Sequence, residues 1–374
     1  MTQSTLGSQS VDAVTLVKSF AVQLGTKVQD LEITQLAGDA SSRRYFRIVK
    51  KSSPSKNFIL QWAESLPQRE IQRNAFLTGQ ANLKEIGIPV PEIFATDPEN
   101  GWILMSDLSD EMLQGRQDLA LYKNAVELMV DWTLKLHPSN TQLPSAVLKS
   151  LQFSWAFDFE KLDFEMGFAE EHFFGNLLEE PKLGKEFRKL SLENTKFLAN
   201  VERFYCHRDY HCRNLMISDE KLCVIDFQDA RMGPKTYDLV SLLWDPYVRL
   251  REDDRVELLQ HWKNCLRESI KNAPWIQNKN ILDESASSKN WQYEMERMKI
   301  QRLIKAVGSY ASFFVVKKRK YYLPSIEPAL EDCVQAFLNL EEKFSALLSK
   351  DDLKFKELII ASLALYRQKK GNFA

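Results

Sequence analysis

The hydrophobic and polar positions divide the chain into a short part that favours strands and a longer part that favours helices. Near the start, short apolar runs rich in β-branched and aromatic residues predict strands. These strands are expected at residues 31–36, 45–49, 58–62, 93–96 and 102–105. Apolar residues at helical spacing predict helices over residues 11–24 and 68–86. The first part of the chain is therefore expected to form a small sheet with one or two helices.

Beyond residue 106 the apolar positions recur mainly with the period of a helix. Helices are predicted at residues 119–136, 158–174, 181–200, 237–250, 255–271 and 291–316, followed by a C-terminal pair. A hairpin interrupts them, because apolar runs at 215–217 and 222–225 flank the polar turn at 218–221. We therefore predict an α+β protein with a flexible tail over 1–10, an N-terminal lobe over 11–105 and a larger, mainly helical C-terminal lobe over 106–374.

Composition narrows the expected partners. The chain has 374 residues, of which 44% are hydrophobic, and this is enough to form real cores in two lobes of unequal size. Lys and Arg number 50 and Asp and Glu number 51, so the net charge of -1 does not favour nucleic acid or an anionic membrane. A small molecule is the expected partner, and no obligate protein partner is evident.

Cysteine usage and the terminal segments indicate a compartment. Five cysteines without C-x-x-C spacing point to neither a disulfide framework nor a zinc site. The N-terminal residues lack the basic start and apolar core of a signal peptide, and the apolar run at 358–366 is too short to span a bilayer. We therefore expect a cytoplasmic protein.

The segment CHRDYHCRNLMISDEKLCVID, residues 206–226, carries the chemistry. Phosphoryl transfer needs a proton acceptor for the attacking hydroxyl and oxygen ligands for Mg2+ on the nucleotide phosphates. Asp209 is predicted to be the base, while Asn214 and Asp226 are predicted to hold Mg2+ on ATP. The spacing H-R-D-x-x-x-x-N matches a kinase catalytic loop, and about 0.002 chance matches are expected in a chain of this length. The alternative is that these residues only cap turns and end a strand.

The residues around this frame indicate the kind of acceptor. Asp226 is followed by a segment that runs directly into the helix predicted at 237, which leaves no room for the peptide-binding activation loop of protein kinases. A compact acceptor is therefore expected. His207 is predicted to brace the loop and His211 to line the substrate mouth, whereas Arg213 is predicted either to meet an anion of substrate or nucleotide or to form a structural ion pair.

Four segments give the chain a family resemblance. They are GDASSRRYFRI at 38–48, HRDYHCRNLM at 207–216, VIDFQDARMGPKTYDLVSLLWDPY at 224–247 and QRLIKAVGSYASF at 301–313. They resemble the aminoglycoside phosphotransferase and choline kinase superfamily and, within it, the bacterial anomeric kinases of N-acetylmuramate and N-acetylglucosamine. The resemblance implies a bilobal protein-kinase-like fold, MgATP as phosphoryl donor and phosphorylation of an amino sugar at C1 in peptidoglycan recycling.

The resemblance also implies positions for the nucleotide. Backbone groups of residues 104–107, including Met105 and Asp107, would meet adenine at the hinge between the lobes. The turn at 38–42 would lie over the phosphates with short side chains and exposed N–H groups, although such a turn is equally an ordinary hairpin. The cofactor-binding residues expected at this turn are Gly38, Ser41, Ser42 and Arg43.

One position departs from the usual kinase pattern. The third predicted strand lacks the lysine that ordinarily pairs the nucleotide phosphates with a helix glutamate, and Gln61 occupies the approximate place. The candidates for a replacement are Arg43, Arg44, Arg69 and Arg73.

Candidate acceptor ligands lie in two segments. Glu165 and Asp229 are predicted to bind sugar hydroxyls, as the resemblance to the family's inserted helical segment implies for the first of these regions. A solvated amphipathic helix accounts for the region around Glu165 equally well. The basic run at 317–320 is either a solvated helix end or a site for the lactyl carboxylate of muramate.

Two rival functions remain open on the sequence. One keeps the chemistry and replaces the acceptor by an aminoglycoside, a choline-like alcohol, homoserine or another metabolite, because acidic residues at 163, 165, 170 and 171 are compatible with an amine. The other is a nucleotide-binding regulatory protein that no longer transfers phosphate, which the missing lysine on the third strand motivates.

Overall fold

The computed structural model describes residues 21, 25–36, 43–62, 67–97 and 101–373. An antiparallel sheet lies at the start of the described chain, with the strand order β1-β2-β3-β5-β4. Its strands are β1 (Leu31–Gln35), β2 (Arg44–Lys50), β3 (Ser53–Trp62), β4 (Ile93–Asp97) and β5 (Trp102–Ser106). Helix α1 (Pro67–Glu85) connects β3 to β4 and is followed by Gly87, whose φ of +82° favours glycine.

The two faces of this sheet join different cores. Leu60 pairs with Leu104 across β3 and β5, and both side chains lie in a small core that belongs to the sheet. The alternating residues Ile103 and Met105 project to the opposite face and pack in the large core of the following part of the chain, which also contains Phe76 of α1. The sheet is thereby anchored on the helical part through α1 and β5.

The rest of the chain is mainly helical. Its longer helices are α2 (Leu119–Lys135), α3 (Phe159–Ala169), α4 (Pro181–Ala199), α5 (Tyr237–Leu243), α6 (Glu252–Lys271), α7 (Trp291–Val315), α8 (Ile326–Phe344) and α9 (Lys350–Lys369). Four short strands lie between α4 and α5, namely β6 (Arg203–Cys206), β7 (Leu215–Ser218), β8 (Lys221–Val224) and β9 (Arg231–Pro234). Strand β6 pairs with β9, and β7 pairs with β8 as a hairpin.

Helix α7 is the central element of the helical part. It packs on α3, on α8 and on the π-helical segment Glu170–Leu177 that continues α3. Gly308 permits the close approach to α3, because a Cβ atom at this position would lie 2.7 Å from the Ala169 Cα and 2.9 Å from the Ala169 Cβ. Gly308 and Ala169 therefore allow the two helices to pack at close range.

Most of the predicted elements are confirmed, including the α+β class, and the deviations have local causes. The helix predicted over 237–250 ends at Leu243, because Asp245 instead accepts hydrogen bonds from the backbone N–H groups of Tyr247 and Cys212. The helix predicted over 158–174 is α only up to Ala169. Strands β6 and β9 were not predicted, because they pair with each other across a long stretch of chain instead of forming a local hairpin. The helix predicted over 11–24 lies outside the described residues apart from Ala21, which is helical.

No helix in the described part of the chain is both long enough and apolar enough to cross a membrane.

Candidate active site

The loop after β6 is held by a buried aspartate on α5. Asp238 accepts hydrogen bonds from the backbone N–H groups of His207, at 2.7 Å, and of Arg208, at 3.0 Å. Arg208 has a φ of +84°, an unfavourable conformation for a side chain of this size that these bonds help to maintain. The His207 ring is buried and contacts the Ile225 carbonyl oxygen at 2.9 Å, which confirms its predicted bracing role. The loop is therefore rigid where it presents Asp209.

The Asp209 carboxylate is surrounded by cations. Lys305 Nζ lies 2.5 Å from Asp209 Oδ1, and Arg302 Nη2 lies 3.7 Å from the same oxygen. Arg208 Nε is 3.8 Å from Oδ2. Burial raises the pKa of Asp209, but the charges of Lys305, Arg208 and Arg302 outweigh it and hold the pKa well below its ordinary range. Asp209 is therefore a carboxylate anion at neutral pH.

Asn214 and Asp226 meet beside Asp209, the predicted base. Asn214 Nδ2 donates to the Asp209 backbone carbonyl at 2.8 Å and lies 3.4 Å from Asp226 Oδ2. Asp226 has a φ of +65° and accepts a hydrogen bond from Gln228 Nε2 at 2.7 Å. The structure thus brings together the three residues that the sequence predicts as base and metal ligands.

The donor set of these residues fits a magnesium ion. The carboxylate of Asp226 and the amide oxygen of Asn214 are hard oxygen ligands of the kind that Mg2+ prefers. The Asp226 side chain reaches solvent at the surface of the site, but most of its surroundings are protein. This partial desolvation raises the pKa of Asp226, and the negative charge of Asp209 raises it further. A divalent cation would neutralise the repulsion between these two carboxylates.

The sheet contributes the opposite side of the site. Burial raises the pKa of Asp226, and the positive charge of Arg43, which precedes β2, offsets a small part of that rise and so acts on the predicted metal ligand. Met105 is buried on β5, and Asp107 forms a bidentate ion pair with Arg47, at 2.6 and 3.1 Å. The predicted nucleotide ligands Gly38, Ser41 and Ser42 lie outside the described residues, as does the Arg69 side chain.

The position where kinases ordinarily carry a lysine on the third strand holds a buried amide. Gln61 lies on β3, is 4% exposed and has no hydrogen-bond partner for its Oε1 among the described residues. It cannot supply positive charge to the nucleotide phosphates. Two of the other candidates for that charge are Arg44, which is the first residue of β2, and Arg73, which lies on α1.

The predicted acceptor ligands surround Arg208. Asp229 Oδ2 lies 3.2 Å from Arg208 Nη1. Glu165 on α3 is 3% exposed, and neither of its carboxylate oxygens has a hydrogen-bond partner among the described residues. Its charge nevertheless acts on Arg208 and on Lys305. Glu165 and Asp229 therefore both lie in the charged surroundings of Arg208, next to the predicted base Asp209.

His211 and Arg213 lie on the other side of the loop. The His211 ring packs edge-on against Tyr247, and burial lowers its pKa to about 3, so it is neutral at physiological pH. The Arg213 guanidinium lies over the rings of Tyr247 and Tyr321 and donates a hydrogen bond to the Tyr321 hydroxyl. The aromatic pair of Tyr247 and Tyr321 therefore helps to hold Arg213 in place.

Two residues of the site were missed in the sequence. Arg302 and Lys305 lie three residues apart on α7 and both approach Asp209 Oδ1. Arg302 is held in addition by Ser241, which accepts from its Nε at 2.9 Å. The signal was present in the segment at 301–313, where two cations at helical spacing interrupt an otherwise mostly apolar helix face.

A second group of polar side chains lies away from this site, on α2 and α6. His261 Nε2 is 3.0 Å from Glu127 Oε1 and 3.5 Å from Cys265 Sγ. The potential metal-ligand atoms of Glu127, His261 and Cys265 lie within 4.8 Å of one another. The sequence did not predict this cluster, because its residues come from two helices and have no C-x-x-C spacing. The contacts among them are ordinary hydrogen bonds.

The comparison with known proteins identifies the family. Residues 32–269, more than half of the chain, match the profile of the phosphotransferase enzyme family, abbreviated APH. The chain belongs to this family. The predicted resemblance and the predicted enzyme class are thereby confirmed.

Two curated relatives of this phosphotransferase carry the name N-acetylmuramate/N-acetylglucosamine kinase. The relative from Pseudomonas aeruginosa is 27% identical over 310 residues, which cover 79% of this chain and 81% of the relative. The relative from Neisseria meningitidis serogroup B is 25% identical over 312 residues, which cover 80% of this chain and 83% of the relative.

Solved structures show which fold the phosphotransferase has. Choline kinase from Cryptosporidium parvum Iowa II superposes with a TM-score of 0.60 at 11% identity, covering 90% of this chain and 98% of that one. The streptomycin-ATP-APH(2")-IIa ternary complex superposes with a TM-score of 0.53 at 10% identity, covering 88% and 97%. The predicted bilobal, protein-kinase-like fold is confirmed.

Proposed function

We propose that this phosphotransferase transfers the γ-phosphoryl group of MgATP to the anomeric C1 hydroxyl of N-acetylmuramate or N-acetylglucosamine. The observation that carries the proposal is the ionised Asp209 carboxylate beside Asn214 and Asp226, on a fold shared with kinases. The two curated relatives named N-acetylmuramate/N-acetylglucosamine kinase support the choice of acceptor. The product would be a sugar 1-phosphate, and peptidoglycan recycling would supply the substrate.

The chemistry assigned to the base follows from its two oxygens. Asp209 Oδ1 is engaged by Lys305, whereas Oδ2 has no hydrogen-bond donor among the described residues and faces Arg208 only at 3.8 Å. Oδ2 is therefore the oxygen that accepts the proton of the acceptor hydroxyl. Mg2+, when held by Asn214 and Asp226, would neutralise charge on the phosphates and align them. No covalent enzyme intermediate is required.

Buried polar atoms without partners support a hydroxyl-rich acceptor. Besides the two oxygens of Glu165, the Tyr237 hydroxyl and the Gln301 Oε1 are buried and lack hydrogen-bond partners among the described residues. Glu165 and Asp209 both act electrostatically on Tyr237, which supports a placement of Glu165 and Tyr237 near the proposed base. Leaving each such atom unpaired costs about 1–3 kcal/mol, and the hydroxyl groups of a sugar would satisfy several of them.

The nucleotide is proposed to bind between the sheet and the loops after β6. The N-terminal lobe over 11–105 would supply the adenine contacts at Met105 and Asp107 and the phosphate contacts at Gly38, Ser41, Ser42 and Arg43. The influence of Arg43 on Asp226 supports this placement, because it brings a cation of the sheet towards the predicted metal ligand.

The structure weakens the rival hypothesis of a cationic acceptor. That hypothesis depended on four acidic residues around α3. Arg188 forms an ion pair with Asp163 and lies 3.7 Å from Glu170, so two of those charges already have a cation. The regulatory alternative without catalysis is not favoured either, since the base and both predicted metal ligands are assembled.

A panel of acceptors tests the proposed reaction. We expect the purified protein with MgATP to release ADP in the presence of N-acetylmuramate or N-acetylglucosamine, and NMR to locate the phosphate on C1. Kanamycin, choline and homoserine serve as the comparison acceptors. Turnover of one of these without turnover of either amino sugar would reject the proposed acceptor.

Glu165→Gln tests the acceptor site. The substitution keeps the shape of the side chain and removes its charge, so we expect kcat/KM for the amino sugars to fall by roughly 10-fold to 100-fold, which corresponds to the loss of one charged hydrogen bond. The KM for ATP should change little, because the residue lies on α3. Glu171→Gln, at a neighbouring exposed position, is the matched control. Equal kinetics for Glu165→Gln and wild type would exclude Glu165 as a substrate ligand.

A further inference from the structure

We propose that Lys305 is a further catalytic residue, whose ammonium group contacts the transferred phosphoryl group at the base and stabilises the charge that develops there. The proposal deepens the function proposed above and rests on it. In the reaction, the acceptor oxygen bonds to the γ-phosphorus and the bond from phosphorus to the β,γ-bridging oxygen breaks. The proton of the acceptor goes to Asp209, ADP leaves, and Lys305 is unchanged.

The position of Lys305 carries the inference. Its ammonium lies 2.5 Å from Asp209 Oδ1, while Oδ2 is the oxygen assigned to the acceptor hydroxyl. The cation and the attacking oxygen are therefore bound to the two oxygens of the same carboxylate group, one at each. The γ-phosphorus must approach that attacking oxygen in line. Its equatorial oxygens then come within reach of a side chain as long as lysine.

The two cations of α7 differ in what holds them. Arg302 has 7% of its side chain exposed and donates from Nε to Ser241 Oγ at 2.9 Å, so its guanidinium is fixed by α5 as well as by Asp209. Lys305 has 13% of its side chain exposed and donates to Asp209. Arg302 is therefore a positioning residue, whereas Lys305 is able to shift from Asp209 to an incoming phosphoryl oxygen through rotation of its own side chain.

The third strand of the sheet lacks the cation that kinases ordinarily place there. Kinases ordinarily use a lysine on the third strand to pair with the nucleotide phosphates, and here Gln61 at this place is uncharged. Phosphoryl transfer is accelerated mainly by fixed positive charge in a site that excludes water. Lys305 provides such a charge from the helical part of the chain, and Gly308 one turn later keeps α7 close to α3.

The experiment compares Lys305→Met and Lys305→Arg with the wild type on both amino sugars. We expect Lys305→Met to lower kcat by about 10²-fold to 10³-fold with N-acetylmuramate and N-acetylglucosamine alike, with the KM of sugar and of ATP changed less than about threefold. Lys305→Arg should recover part of the loss, because it restores the cation. A primary amine such as ethylammonium should restore activity to Lys305→Ala in a concentration-dependent manner.

The control and the contradicting outcomes separate this role from simpler ones. Lys299→Met removes another buried lysine of α7, one that pairs with Glu296, and should leave kcat nearly unchanged. If kcat fell only with N-acetylmuramate, Lys305 would bind the carboxylate of that acceptor instead of the phosphoryl group. If kcat fell with both sugars and an amine did not restore it, Lys305 would only position Asp209. Either result would overturn the proposal. A decrease in kcat of less than about fivefold would also overturn the proposal.

Failure of the acceptor assignment is distinguishable from failure of this proposal. If the wild type phosphorylates neither amino sugar, the proposed function is wrong and the variants are compared by the slow hydrolysis of MgATP, in which water is the acceptor. We expect the rate of MgATP hydrolysis by Lys305→Met to be well below the rates of the wild type and of Lys299→Met. Equal hydrolysis rates would reject a role of Lys305 in phosphoryl transfer.

Discussion

Asp209→Asn is expected to lower kcat for phosphoryl transfer by about 10³-fold, within the range found for removal of a general base. Asparagine has nearly the shape of aspartate but accepts a proton poorly, so the acceptor hydroxyl loses its base. MgATP should still bind, since Asn214 and Asp226 are unchanged. ADP release measures the rate, and a thermal shift with MgATP measures nucleotide binding.

The control for this variant is Asp219→Asn. Asp219 lies in the exposed turn between β7 and β8 with a φ of +49°, a conformation that asparagine tolerates well, so the control should keep wild-type turnover. If Asp209→Asn retained a rate within tenfold of the wild type while remaining folded, another group would have to be the base.

Arg297→Met is expected to lower the free energy of unfolding by about 3–5 kcal/mol, the range for breaking a buried ion pair by removing one partner. Arg297 on α7 and Asp352 on α9 form a bidentate pair in which each side chain is 2% exposed. The substitution leaves the Asp352 carboxylate buried without its cation. Urea unfolding monitored by circular dichroism gives the change in midpoint and in free energy.

The double variant Arg297→Met with Asp352→Asn tests the cause of that loss. It removes the remaining charge, while the amide oxygen of asparagine continues to accept from the Ser349 backbone N–H at the start of α9. We expect it to regain a substantial part of the stability. Lys354→Met, in an exposed pair on the same helix, is the matched control and should not move the midpoint. Equal stability of the single and double variants would contradict this explanation.

The same pair gives the sign of a pH effect. Burial raises the pKa of Asp352, but the hydrogen bonds and charge of Arg297 outweigh it and hold the pKa below its ordinary value. Its stabilising contribution is therefore fully present above about pH 4 and is lost as the pH falls through the folded-state value. Urea midpoints of the wild type should fall more steeply in acid than those of the double variant.

Helices and strands whose boundaries follow from the local spacing of apolar residues were predicted well from the sequence. The strands of the first sheet and the longer helices follow the spacing of apolar residues, which reflects contacts within one element. The helix predicted over 237–250 was too long because Asp245 binds the backbone of Cys212, a residue 33 positions earlier. The pairing of β6 with β9 was missed for a similar reason, since its hydrogen bonds join segments that are distant in the chain.

The amino-acid sequence by itself was enough to predict that Asp209, Asn214 and Asp226 come together, with Asp209 as the proposed base and the other two as proposed metal ligands. Asp209, Asn214 and Asp226 lie within one loop and the hairpin after it, so their spacing already restricts how they come together. Only the tertiary structure decided that Lys305, 96 residues after Asp209, contacts that base, and that Glu165 lies buried beside Arg208. The physical reason is that such contacts depend on how α3 and α7 pack on each other, which local spacing along the chain does not encode.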